Sequence, residues 1–108
     1  MRKGLVRVCG RDAGVLEETS RGFRFRYHDG YLVDPNAPSV SLRLPKSRQT
    51  HESNILFPFF FGLLAEGNLK AEQCRRLKLD EDDAFGRLIQ TAGSDTIGAV
   101  SVHPENAG

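Results

Sequence analysis

The sequence predicts an α+β domain: a small, mainly antiparallel sheet with about three short helices packed on one side. Three observations predict it. Short runs alternating between apolar and polar residues fill the first half of the chain and recur at its end. Between them lie segments with helical spacing. Strands first, helices second and one closing strand is the order of an α+β layer rather than of alternating βαβ units. At 108 residues the chain has the length of one domain, residues 1–108, with room for a modest core and no internal cofactor chamber.

Taken in order, residues 5–9 (LVRVC) are β-rich, Gly10-Arg11-Asp12 is turn material, and residues 13–17 return as a second strand of a hairpin. Residues 22–27 alternate strictly, with Phe23, Phe25 and Tyr27 on one face and Arg24 and Arg26 on the other. Residues 28–39 read as loop, with turn signals at Asp29-Gly30, Asp34-Pro35-Asn36 and Pro38 over an apolar plug of Tyr31 and Leu32. Residues 40–44 alternate again, which points Val40, Leu42 and Leu44 inward, and Pro45 ends that strand. Arg7, Arg24, Arg26 and Arg43 would then share the outer sheet face, either as a solvated surface or as a contact for an acidic partner. Residues 46–52 read as a polar, mobile segment.

The chain is organised around residues 55–67 (ILFPFFFGLLAEG), which hold four of its seven Phe. Pro58 suits a first helical position and Gly67 an αL C-cap, so a helix of two to three turns is predicted. At about 100° per residue, Phe59, Phe60 and Phe61 fan over roughly 200° of arc, more than one sheet can cover. Such a helix is either buried all round, between sheet and third helix, or meets a partner protein with its second face; the small size of the chain favours the partner. The candidate contact residues are Phe57, Phe59, Phe60, Phe61, Leu63, Leu64, Ala65, Glu66 and Gly67, with Arg24, Arg26 and Arg43 as a secondary contact.

Asn68 then caps a weaker helix with Leu69, Ala71, Cys74 and Leu77 on one face. Asp80-Glu81-Asp82-Asp83 reads as an N-cap and first turn ahead of Ala84-Phe85, not as a metal cluster. Phe85, Leu88, Ile89 and Ala92 fall at i, i+3, i+4 and i+7 of a third helix, which Gly93 caps. Residues 93–98 form a turn with two glycines; they precede a strand and no Lys follows, so close backbone approach explains them better than a phosphate cradle. Residues 99–103 are the final strand, stopped by Pro104.

Composition excludes several function classes. The net charge of +1 is not that of a nucleic-acid binder, although residues 1–48 carry +5 and residues 49–108 carry −4. No apolar run reaches membrane-span length and the N-terminus lacks a signal-peptide core, so a cytoplasmic protein is expected. Cys9 and Cys74, far apart in sequence, read as small buried apolar residues rather than a disulfide. His28, His51 and His103 are scattered without metal-ligand spacing, no Ser sits in a nucleophile elbow, and neither Cys has a nearby His. The expectation is an interaction module with no catalytic residues, metal or cofactor, not an enzyme.

The order of motifs resembles a known family. Residues 13–16 (AGVL), Phe25-Arg26-Tyr27, Gly30-Tyr31-Leu32, residues 40–45 (VSLRLP), residues 59–67 (FFFGLLAEG) and residues 93–100 (GSDTIGAV) follow one another as in the N-terminal subdomain of HipA-type toxin kinases. The resemblance covers roughly residues 4–105, and family members commonly carry Pro at the position of Ala65. The chain ends at Gly108, before the kinase body of full-length members, so no kinase residue carries over. A free-standing copy of this subdomain is similar to the HipS-type antitoxins of tripartite systems. That resemblance implies an antitoxin that binds a HipT-like Ser/Thr kinase in trans and blocks its active site or productive conformation, with a HipB-like DNA-binding protein as a further partner in a ternary complex. The alternatives are an accessory that helps a HipB-like repressor grip operator DNA, or an isolated N-terminal fragment of a full HipA-type kinase.

Overall fold

The N-terminal hairpin forms around a two-residue turn, Cys9-Gly10, in which both residues take positive φ (51° and 80°). The computed structural model of the chain describes residues 2–93 and 99–105. Strand β1 (Lys3–Val8) pairs with β2 (Arg11–Thr19), and the register slips between Val6 and Arg7, so that Ala13 is the extra residue of a bulge. The bulge turns Ala13 into the core, where it is fully buried. Strand β3 (Gly22–Tyr27) follows, then helix α1 (Asp29–Leu32), β4 (Thr50–Ser53), α2 (Pro58–Phe61), α3 (Gly67–Leu77), α4 (Ala84–Thr91) and β5 (Val100–Pro104). The sheet order is β4-β3-β2-β1-β5, antiparallel throughout.

Alternation places Val6, Leu16, Phe25, Tyr27 and Val102 on the inner sheet face, where they pack with Phe60, Phe85 and Leu88 from the helices into one apolar core. The α+β class and the helix-covered sheet are therefore as expected, with four helices rather than three among the described residues. Gly14 is required where β2 and β3 approach: a Cβ there would collide with the Arg26 carbonyl. The strictly alternating strand is β3 itself, and α4 buries Phe85, Leu88 and Ala92 as its spacing predicts. Its N-cap is Asp83, whose Oδ1 accepts the Gly86 N–H at 3.1 Å.

Several expectations are overturned, the first being that residues 28–39 are loop throughout, since Asp29–Leu32 form α1. Residues 40–44 are not a strand: Ser41 and Leu44 close a tight turn (Leu44 N–H to Ser41 O, 3.0 Å) that leaves Leu42 98 % exposed. The buried Tyr27 hydroxyl takes the polar groups a strand would have paired, donating to the Leu44 carbonyl and accepting the Val40 N–H at 2.9 Å. Arg43 therefore lies in this turn and not on the sheet. The strand beside β3 is instead β4, within the segment read as mobile. Cys9, read as buried, is exposed at the hairpin turn, while Cys74 is buried. On α3 only Cys74 of the expected apolar face is buried; Leu69 and Leu77 are exposed. The glycine turn of residues 93–98 lies, beyond Gly93, outside the described residues.

Candidate functional site

The Phe-rich stretch forms one helical turn rather than two or three. Pro58 occupies the first helical position, as expected, and Phe60 and Phe61 both donate to the Phe57 carbonyl (2.9 and 3.0 Å). Gly62 caps the turn, and two tighter i→i+3 bonds, Leu63 to Phe60 and Leu64 to Phe61 (both 3.1 Å), carry the chain onward. Gly67 does take the left-handed conformation foreseen for it (φ 61°), but it opens α3 instead of closing α2, and Glu66 rather than Asn68 is the N-cap.

This geometry separates the nine candidate residues. Phe57, Phe60 and Leu64, at i, i+3 and i+7, face the core, with the Phe60 ring 5.9 Å from that of Phe25 and 5.4 Å from that of Phe59. Phe59 and Leu63 pack partly against the same core, and Ala65 is half-buried. Phe61 is 52 % exposed, and Glu66 and Gly67 are exposed beside it. Phe61 stands between two concavities. On one side a groove of ≈ 700 Å³ runs past Ile55, Pro58, Phe23 and Phe85, with Asp82 at its edge. On the other, a cavity of ≈ 220 Å³ is bounded by Leu64, the Ala65-Glu66-Gly67 turn, Lys70 and Arg87.

Ile55 (61 % exposed) and Arg87 belong to this surface but carried no periodic signal. Ile55 lies outside the helical turn. Arg87 lies about 200° from Phe85 around α4, where a helical wheel places solvent; the chain folding back through Ala65 buries it.

Of the secondary arginine contact, Arg24 and Arg26 come together and Arg43 does not join them on the sheet. Arg24 and Arg26 do share the outer sheet face, but Arg24 lies between Glu17 (2.9 Å) and Glu52 (3.6 Å), and Arg26 is 3.7 Å from Asp29. Arg7 pairs with Asp12 at 2.8 Å. Arg43 lies off the sheet, in the turn of residues 41–44. Among the described residues, no group of three or more His, Cys, Asp or Glu could hold a metal ion, and no helix is long and apolar enough to cross a membrane.

The family model of the HipA N-terminal domain matches residues 5–103. The chain belongs to the HipA N-terminal domain family. It is similar to an uncharacterized protein of Haemophilus influenzae, 35% identical over 105 residues that cover 97% of this chain and 94% of that protein. Among solved structures it is similar to the N-terminal domain of HipA toxin, with a TM-score of 0.75 and 31% identity, covering 100% of this chain and 96% of that one. Membership of the HipA family places the chain in a toxin–antitoxin context.

Proposed function

We propose that this HipA-family domain is an antitoxin that binds in trans to a HipT-like Ser/Thr toxin kinase, blocking its active site or productive conformation. A HipB-like DNA-binding protein is a further partner in a ternary complex. The observation that carries the reading is Phe61: a large apolar side chain held half-exposed on a short turn between two concavities, in a domain similar to part of a toxin. A relative of nearly the same length supports a domain that works as its own polypeptide. An aromatic anchor of this kind supplies roughly 1.5–3 kcal/mol when buried by a partner, before association costs. The core position of Phe57, Phe60 and Leu64 narrows the proposed contact to Phe61, with Ile55 and Pro58 on one flank and Glu66 and Gly67 on the other.

The test is co-expression of the kinase with the Phe61→Asp variant. Growth rescue is expected to be lost while the variant stays folded with its thermal midpoint lowered by only a few degrees, because about half of the side chain already meets water. Full rescue by folded Phe61→Asp protein would remove this surface. Asp at Phe60 or Leu64 is unsuitable, since it would bury an unpaired charge and unfold the domain. The operator-accessory alternative has no observation in its favour, because the arginine face is already ion-paired.

A further inference from the structure

Arg87 is 4 % exposed, and its Nη2 donates to the Ala65 carbonyl at 2.7 Å. No carboxylate among the described residues forms an ion pair with it. The remaining guanidinium nitrogens are not sealed from solvent, and a carboxylate with matching geometry can pair with this free edge of the fork. The guanidinium borders the ≈ 220 Å³ cavity beside Phe61, and Lys70 adds a second positive charge there. The first turn of α3 opens at the same place with no side chain capping its N–H groups, so the helix end adds positive potential. Glu66 is exposed at the rim and pairs with neither cation.

We propose that this cavity is a carboxylate pocket that receives an Asp or Glu side chain of the kinase. The source of the acid rests on the docking reading above; the chemistry of the pocket rests on Arg87, with Lys70 and the first turn of α3 beside it. Arg87 has two roles in this arrangement: one nitrogen pins the Ala65-Glu66-Gly67 turn, and the rest of the fork meets the incoming acid.

The test is an NMR titration of the whole chain with sodium acetate, then with sodium phosphate at matched ionic strength. Acetate is expected to shift the Arg87 Nε–H and the Asn68 and Leu69 amides saturably. Arg87→Gln should raise the half-saturating concentration roughly tenfold or more. Arg87→Lys, which keeps the charge but loses the planar fork, should fall between. No saturable shift in the wild-type chain, saturation by phosphate alone, or an unchanged titration in Arg87→Gln would each overturn the pocket. The two readings fail separately. Loss of kinase neutralisation in Phe61→Asp with no acetate site overturns the pocket only. Full neutralisation by Phe61→Asp with a saturable acetate site overturns the docking reading and the kinase as source of the acid.

Discussion

Arg2 joins three distant parts of the chain through one guanidinium. Its Nε and Nη2 meet both Glu18 oxygens at 2.8 Å, and its Nη1 and Nη2 meet Asp83 at 2.7 and 2.8 Å. The group also lies 5.4 Å over the Phe85 ring. It thus ties β2 to the N-cap of α4, and hydrogen bonding to Arg2 lowers the carboxyls of both Glu18 and Asp83 below their ordinary values of 4.5 and 3.8. Because the folded values are depressed, this stabilisation is present above the ordinary values and lost as pH falls through the lowered ones. Arg2→Gln is expected to lower stability at pH 7 by on the order of 1 kcal/mol, a figure already discounted for solvent screening of these part-exposed groups. Urea denaturation across pH should show the deficit shrinking below about pH 4. A deficit constant with pH would mean that Arg2 acts by packing on Phe85 and not by charge. The cap itself was legible in the sequence, because acids before an apolar helical run have a local reason to be there. Arg2 was not, because 81 residues separate it from Asp83 and nothing local marks the pair.

Elements were legible where the period of the sequence and the burial of the fold coincide. Strand β3 is such a case, since it buries Phe25 and Tyr27 and leaves Arg26 outside; helix α4 buries Phe85 and Leu88 on the face its period marks, and Gly86 and Arg87 besides. Residues 40–44 show why period alone is insufficient. Their alternation fits a strand, yet the partner edge of β3 is taken by Thr50–Ser53, whose polar side chains gave no apolar signal. Tyr27 decides between the two arrangements by reaching out from β3 and holding Val40 and Leu44 in a turn, while Tyr31 stacks on it with centroids 5.9 Å apart. Tyr27→Phe keeps the ring and removes the hydroxyl, leaving a buried N–H and C=O without their partner. The expected loss is about 1–3 kcal/mol in equilibrium unfolding. Leu42→Asp, by contrast, should change stability by less than about 0.5 kcal/mol, because the side chain lies in water. If Leu42→Asp destabilised the protein as a core substitution does, the turn would be wrong and the strand restored. The Phe-rich stretch was half legible for a related reason: helical spacing showed that three adjacent Phe cannot share one face, but which of them stays outside depends on where α4 and β3 lie.

Over the whole molecule the two charge signs are arranged differently. On the outer sheet face Lys3, Glu17, Arg24 and Glu52 form a row of alternating sign across β1, β2, β3 and β4. The acidic excess of the second half includes Asp82, exposed at the edge of the groove beside Phe61, while Arg87 and Lys70 present the opposite sign on the far side of the same residue. An apolar anchor between patches of opposite charge fixes the orientation of a partner as well as its affinity. Charge at the groove edge should act on encounter and the anchor on residence. Binding kinetics with the purified kinase are therefore expected to separate the two. Raising salt from about 50 to 200 mM, or substituting Asp82→Asn, should slow association several-fold with little change in dissociation. Phe61→Ala should instead speed dissociation by roughly tenfold or more and leave association almost unchanged. Should Arg24→Gln and Arg26→Gln slow association while Asp82→Asn does not, the partner meets the sheet, and the face around Phe61 is not the one that docks.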